Sequence, residues 1–453
     1  MQTLITLFFY RLAIAFYALS AHILSRWNAK ARLFVAGRYE TFEKIRFFNQ
    51  KRGQERQKRP VFWLHAASLG EFEQGRPVLE GFKAKNPHFL IVVTFFSPSG
   101  YEQRKNYALA DLICYLPFDT HENMAYFIGE LKPDLAVFVK YEFWYYLLAE
   151  LKHKNVPTFL IAANFRRNQL FFKPYGRVFL SILNNYAHIF VQKQDSIDIL
   201  TAFGIKNASV AGDTRLDRSL QVSKEAKTYP IIANFLQKTA KNEGKKHFSL
   251  VCGSTWAEDE AVILGFLEQV KQKNKDIILK IIIAPHELYS KKIGQLIEKA
   301  QSQHHTIVKY STAQSMIACN LAEADLLLID NIGMLASLYQ YGDFAYIGGA
   351  FGSGLHNIIE AAVFGVPIFF GNKTYKKFGE SVDLIAAGGA FSIKNSDELT
   401  AIFTKLQHET AYTRAAAAAQ NYVINNQGAT LKILAQLDES YTEFQHKMPH
   451  FKK

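Results

Sequence analysis

The chain has 453 residues, 49% of them hydrophobic, which is enough apolar material for two cores at the usual ~100–200 residues per domain and too much for a disordered protein. Cys114, Cys252 and Cys319 are far apart and form no Cys-x-x-Cys pair, so a disulfide framework and a zinc ribbon are excluded and a reducing compartment fits. The formal charge of +13 is concentrated at the start, where residues 1–60 hold twelve Lys/Arg against three Glu.

The first predicted element is the apolar run Thr3–Leu24, about as long as the ~20 residues a bilayer crossing needs and interrupted by Arg11. In a cleaved signal peptide the positive charge precedes the apolar run, whereas here it follows. A spanning helix would hold Arg11 near mid-bilayer at a cost of roughly 2.5–3.5 kcal/mol. A helix lying in the interface lets Arg11 snorkel while the cations downstream meet anionic lipid. Residues 1–40 therefore read as a membrane-anchor helix and basic segment, with the body on the cytoplasmic side of an inner membrane by the positive-inside rule. Nucleic acid is the other partner of basic patches, but no nucleic-acid-binding motif accompanies this one and none is expected to bind.

After Pro60, continuous apolar runs alternate with helical patterns. The first half has VFWLHA (61–66), FLIVVTFF (89–96), DLAVFV (134–139), TFLIAA (158–163) and HIFVQ (188–192). The second has FSLVCG (248–253), IILKIIIA (277–284), DLLLID (325–330), FAYIGG (344–349) and VPIFFG (366–371). Runs of this kind between helices predict parallel sheets covered on both faces, hence an α/β protein of two Rossmann-like domains facing across a cleft. The charged stretch from Gly212 to Pro230 is the best boundary, giving an N-terminal domain over 41–218 and a C-terminal domain over 219–453. Ligands of such sheets bind beyond the carboxyl ends of the strands, so the loops after each strand are where chemistry is expected.

Two of those loops stand out. Ser68-Leu69-Gly70-Glu71 follows the first strand and has capping-box spacing, in which Ser68 caps a helix and Glu71 reaches back to its amide. In the stretch Gly348–Pro367, glycines 348, 349, 352 and 354 precede a helix expected to open at about Leu355, an arrangement that suits a phosphate. Glu360 would sit inside that helix, near a ribose hydroxyl or on a solvated face. Ser254 and Thr255 are expected to start another helix, as caps or as phosphate contacts. No Asp-x-Asp pair is present for a metal-bound diphosphate, and neither a metal nor a cofactor is expected.

WLHAASLGE (63–71), TFFSPSG (94–100), YLPFD (115–119), YEFWYYLL (141–148), NFR (164–166), GDTRLD (212–217), GSTWAEDE (253–260) and GGAFGSGLHNIIEAA (348–362) lie in order along the chain. Together they resemble the 3-deoxy-D-manno-octulosonic acid (Kdo) transferase family, glycosyltransferases of the two-Rossmann-domain GT-B type. The resemblance implies transfer of Kdo from CMP-Kdo to the lipid A precursor with inversion, in lipopolysaccharide biosynthesis at a membrane surface. It implies that Glu71 is the catalytic base, that Glu142 is essential, and that Ser68 and Gly70 lie beside the acceptor. Asn164 and Arg166 match a family motif, and Arg167 or Lys173 stands in for a second Arg where this chain has Leu170. On the donor side it points to Ser254, Thr255, His286, Gly348, Gly349, Gly352, Gly354, His356, Asn357 and Glu360. This chain lacks the Arg usual beside His286 and has Met334 in place of a Glu after Asp330-Asn331-Ile332-Gly333. The alternatives are another GT-B enzyme using a UDP-sugar, and a non-catalytic membrane-associated binding protein.

Overall fold

The computed structural model describes residues 2–54, 59–173, 176–239 and 243–447. The chain divides after Asp217 and again after Asn426 into two compact units. The first holds seven parallel strands, β1 Val61–Ala66, β2 Leu90–Phe95, β3 Leu112–Tyr115, β4 Leu135–Val139, β5 Thr158–Ala163, β6 His188–Val191 and β7 Ala208–Val210, ordered β3-β2-β1-β4-β5-β6-β7. The second also holds seven, β8 Lys246–Thr255, β9 Ile277–Pro285, β10 Ile307–Lys309, β11 Leu326–Leu328, β12 Phe344–Ile347, β13 Ile368–Gly371 and β14 Ala390–Ile393, ordered β10-β11-β9-β8-β12-β13-β14.

The apolar runs form strands because helices cover both faces. Along β1, Val61 and Trp63 enter one core with Phe127 and Phe138, while Phe62, Leu64 and Ala66 enter another with Phe82 and Val137. The strand order reverses direction beside the first strand of each sheet. β1 lies between β2 and β4, and β8 between β9 and β12, so the loops leaving the carboxyl ends of β1 and β4, and of β8 and β12, part to opposite faces. Lys140 (φ 67°) and Ser254 (φ 53°), just beyond β4 and at the end of β8, occupy the left-handed region that non-glycine residues rarely adopt. Among the described side chains, Cys114 and Cys252 are buried and unpaired.

The apolar run predicted at the start is one helix, Gln2–Leu24, and its segment Ile5–Leu24 is long and apolar enough to cross a membrane. It lies against the first sheet unit on one face only. Tyr10, Ile14, Tyr17 and Ala21, at helical spacing, meet that unit, whereas Phe8, Phe9, Leu12, Phe16, Leu19 and Ile23 are exposed. Arg11 does not stand free to snorkel, since its Nε donates to the Tyr146 hydroxyl. Arg38 likewise leaves the basic surface expected from sequence. Its guanidinium is buried among Phe34, Phe96, Phe118 and Tyr115, donates to the carbonyls of Phe34 and Phe96, and has its pKa lowered to about 10 by that burial.

The C-terminal boundary also needs correction. Residues 219–453 are not one domain, because the helix Ala429–Lys447 packs on the helix Leu69–Lys85 of the first unit through Ile433, Leu434 and Leu437. Gly81 leaves room for Leu434, and Tyr441 meets Phe89 edge-on. Asp217 fixes where that helix begins by accepting from the amides of Gly428 and Thr430, both at 2.6 Å. Asp217→Ala is expected to destabilise the first unit by about 1–3 kcal/mol, read as a lower melting temperature and faster amide exchange over 429–442, with Asp217→Asn intermediate.

Candidate active site

Each functional side chain of the first unit comes from a loop leaving the β1/β4 crevice. After β1, the Leu69–Lys85 helix begins with Ser68 as N-cap, and both bonds of the capping box form. Glu71 Oε2 accepts from the Ser68 amide at 2.9 Å and faces the Ser68 hydroxyl at 3.2 Å, while Ser68 Oγ accepts from the Glu71 amide at 3.4 Å. Glu71 is nevertheless only partly buried. Burial, and then the charge of Glu142, push its pKa above the ordinary Glu value, against the opposing pull of Lys140, Ser68 and His65. Gly70 next to it borders open space, with nothing beyond its chain neighbours and its own helix backbone within 4 Å of where a Cβ would stand.

Glu142, in the loop after β4, is held inside the protein. It is 3% exposed, and its Oε2 accepts from His65 Nε2 at 2.9 Å and from Trp144 Nε1 at 2.5 Å. Its backbone carbonyl accepts from the Tyr186 hydroxyl. His65 is itself oriented from behind. Its Nδ1 lies 2.7 Å from the Thr94 hydroxyl and 3.1 Å from the Thr94 carbonyl, and Trp63 Nε1, a donor only, bonds the same hydroxyl at 2.8 Å, which fixes the ring with Nε2 facing Glu142. Glu142 is thus a fixed charge beside Glu71, suited to orienting the site and poorly accessible to a ligand. His65, Trp63 and Trp144 were not identified from the sequence as site residues. The signal that could have found Trp144 is an indole two positions after the acid of the β4 loop, whereas His65 is 77 positions from Glu142 and no local pattern joins them.

Beyond β5, Asn164 faces the Ser196 hydroxyl at 3.4 Å, and that hydroxyl accepts from the Phe165 amide at 2.9 Å. Arg166 and Arg167 are exposed and Lys173 partly so. These cations leave from the strand next to β4, on the same edge of the sheet as Glu142, without a direct bond to Glu71 or Glu142 among the described contacts.

In the second unit the expected helix starts shift. Ser254 and Thr255 end β8 instead of opening a helix; Trp256 is the N-cap of Ala257–Lys273, and buried Thr255 faces Glu260 Oε1 at 3.3 Å. A residue not identified from the sequence, Asp259, organises this end. Buried, it accepts from the amides of Trp256 (3.0 Å) and Gly349 (2.8 Å) and from the Tyr346 hydroxyl (2.9 Å), and burial pushes its pKa up against those bonds. The Gly349 amide is therefore not available to a phosphate. Gly348 and Gly349 are glycines for packing, since a Cβ on either would stand 2.2 Å from a backbone oxygen, that of Ser254 or of Gly354. Gly352 borders open space, and Gly354 (φ 109°) meets the Phe378 ring only at 3.7 Å.

The helix after the glycines does not open at Leu355. It spans only Ile359–Ala362, because Asn357 Oδ1 accepts from the Ile359 amide at 3.2 Å and holds the preceding residues in a turn. Asn357 Nδ2 also donates to Glu360 Oε1 at 2.9 Å, so Glu360 is oriented by its neighbour and remains partly exposed. His286 and His356 come together with Trp256 in an aromatic cluster. The Trp256 and His286 rings stack at 4.7 Å, His286 and His356 lie 4.5 Å apart, and Trp256 Nε1 donates to His356 Nε2 at 3.1 Å. Burial, then His286, bring the His356 pKa down to about 4, so it is a neutral acceptor at neutral pH. Met334 is buried, and Asp330 is engaged by the amide and hydroxyl of Ser311.

Comparison with known proteins agrees with this arrangement. Residues 40–218 match the family model for 3-deoxy-D-manno-octulosonic-acid transferase (kdotransferase). The 3-deoxy-D-manno-octulosonic acid transferase of Aquifex aeolicus is 27% identical over 348 residues, covering 76% of this chain and 86% of that protein. That of Rickettsia prowazekii is 25% identical over 390 residues, covering 84% and 80%. Among solved structures, UDP-GlcNAc 2-epimerase from Neisseria meningitidis superposes with a TM-score of 0.57 at 17% identity, over 84% of this chain and all (100%) of that one. Acinetobacter baumannii MurG gives 0.53 at 12% identity over 84% and 99%, so the two-Rossmann fold is shared well beyond any one activity. The Ser68–Glu71 turn and the buried Glu142 both lie inside the segment that matches the 3-deoxy-D-manno-octulosonic-acid transferase model, and the similarity to 3-deoxy-D-manno-octulosonic acid transferases extends over most of the chain.

Proposed function

We propose that this protein is a glycosyltransferase that moves Kdo from CMP-Kdo to a lipid A precursor with inversion, using Glu71 as the base. The observation that carries the reading is the Ser68–Glu71 turn at the β1/β4 switch point, where a carboxylate of raised pKa sits beside open space at Gly70 within the kdotransferase segment. Glu71 takes the proton of the acceptor hydroxyl as that oxygen bonds the anomeric carbon, and the carbon–oxygen bond to the CMP phosphate breaks with its electron pair on the phosphate. Glu142 orients the site and supplies the neighbouring charge that makes Glu71 more basic. Arg166, Arg167 and Lys173 attract the anionic acceptor.

On the second unit, CMP-Kdo lies with its phosphate near Ser254 and Gly352–Gly354 and its ribose toward Glu360. The flat Trp256–His286 face is offered to the base. CMP leaves with a single phosphate, and the reaction is proposed to need no metal and no cofactor. The enzyme works at the cytoplasmic face of the inner membrane, on an N-terminal helix lying in the interface. Support for that placement comes from its exposed Phe8, Phe9, Leu12, Phe16 and Leu19 opposite the face that Tyr10, Ile14 and Tyr17 dock on the protein, with Arg26, Lys30 and Arg32 exposed nearby.

Purified protein in detergent, given CMP-Kdo and tetraacylated lipid A precursor, is expected to add the mass of Kdo to the lipid with or without EDTA; an unchanged lipid mass overturns the reading. Glu71→Gln keeps the cap and hence the melting temperature, and should reduce transfer by about 10²–10⁴-fold. A fully active variant would remove Glu71 from the mechanism.

Because the base must be ionised, kcat/KM should rise with pH through an inflection above the ordinary Glu value. Removing a like charge in Glu142→Gln should move that inflection of the residual activity to lower pH, measured as log kcat/KM against pH. Gly70→Ala, in the first turn of a helix with space around it, should leave stability unchanged or raise it by up to about 1 kcal/mol. The acceptor KM should rise in the same variant; a KM equal to wild type would place the sugar elsewhere.

A further inference from the structure

Two sets of contacts lead from the N-terminal helix to the turn that carries Glu142. The first runs through its backbone. The helix Tyr145–His153 starts three residues after Glu142, and its N-cap Trp144 makes no side-chain cap bond. The missing cap comes from outside: Asp119 accepts from the amides of Tyr146 (3.0 Å) and Leu147 (2.8 Å), and the Tyr10 hydroxyl faces the Tyr145 amide at 3.4 Å while donating to Asp119 at 2.5 Å. Asp119 is buried, and Tyr10, its partner on the N-terminal helix, helps hold that carboxylate away from water.

The second set is aromatic. Tyr17 stacks on Phe96 (6.1 Å, 18° between planes), Phe96 stacks on Trp144 (4.9 Å, 26°), and Trp144 Nε1 is one of the two donors on Glu142 Oε2. Phe96 is fixed in turn by Phe34 and by Arg38, which bonds its carbonyl. A helix that served only to hold the protein at a lipid surface would need its apolar outer face and some packing on the inner one. It would have no reason to complete another helix's cap or to set the plane of an indole bound to a site carboxylate.

We propose that the N-terminal helix is a positioning element of the acceptor site, in which Tyr10 and Tyr17 hold the Glu142–Trp144 turn and thereby the Glu142 carboxylate. The inference rests on the Kdo-transfer reading for its assay. The helix then serves the site through its inner face, apart from any lipid contact of its outer face: when the helix is docked on the protein, the Trp144 indole is in place to donate to Glu142, and when it is displaced, one of the two donors is lost.

The test measures Kdo transfer from CMP-Kdo to detergent-dispersed tetraacylated lipid A precursor by full-length Tyr10→Phe, Tyr17→Leu and Tyr17→Phe proteins, beside their sedimentation with vesicles of phosphatidylethanolamine and phosphatidylglycerol. Tyr17→Leu keeps the apolar character and loses the stack, whereas Tyr17→Phe keeps the stack. Tyr10→Phe removes only the hydroxyl. The expected result is a fall in kcat/KM for the acceptor of about ten- to a hundredfold in Tyr10→Phe and Tyr17→Leu. Tyr17→Phe should remain within about twofold of wild type, and donor KM and vesicle binding should be unchanged throughout. In a Trp144→Phe background, Tyr17→Leu should have little further effect, because the donor it acts through is already gone. Wild-type kcat/KM in both Tyr10→Phe and Tyr17→Leu overturns the proposal, as does a loss that tracks vesicle binding or one that adds fully to Trp144→Phe. Failure of the wild-type protein to transfer Kdo would instead strike the proposed function.

Discussion

Burying the Glu142 carboxylate is tolerable only because two N–H groups, of His65 and Trp144, converge on one of its oxygens. Much of the first unit's site follows from supplying those two donors. One requires the Trp63–Thr94 pair, which holds the imidazole with Nε2 toward the acid. The other requires an indole held flat against Phe96 and, through it, the N-terminal helix. Burial, and then this neighbouring charge, raise the Glu71 pKa above that of an ordinary glutamate, while Glu71 itself stays tied to Ser68 and only partly covered.

The second unit solves a similar problem with a different acid. Asp259 is buried beside β8 and β12 and satisfied by two amides and a phenol, and in that way it joins the start of one helix, a strand and the glycine loop. Both acids stand where the strand order reverses, the place at which a parallel sheet leaves its strand ends uncovered. Left-handed φ values at Lys140 and Ser254 mark the same two places in the backbone. Such conformations cost free energy and persist where surrounding bonds hold them, as the Lys140 amide is held by the Ile161 carbonyl.

Capping is compatible with the base role proposed for Glu71. A capping box uses one oxygen of the N3 carboxylate and fixes the side chain in a single orientation, which is also what a general base needs. The N-terminal helix likewise combines two tasks on two faces. Its outer residues are apolar and exposed, and its inner ones bond Asp119 and Tyr146 and stack on Phe96.

The sequence by itself determined the α/β class, the ten strands that read as continuous apolar runs, and the loops in which Ser68, Glu71, Glu142 and the glycines lie. Those features depend on local pattern: strands covered on both faces must be apolar throughout, and a capping box is spelled within four residues. The four strands it did not identify, β3, β7, β10 and β14, are the edges of the two sheets, three or four residues long, where partial cover permits a mixed composition. Only the tertiary structure decided that 429–447 returns to the first unit, that Arg11 and Arg38 are engaged by the protein, and that Gly349 is bonded to Asp259. Those outcomes join residues far apart in the chain, such as Arg38 with Phe96 or Leu434 with Gly81, and no local pattern records which distant partner will satisfy a buried charge.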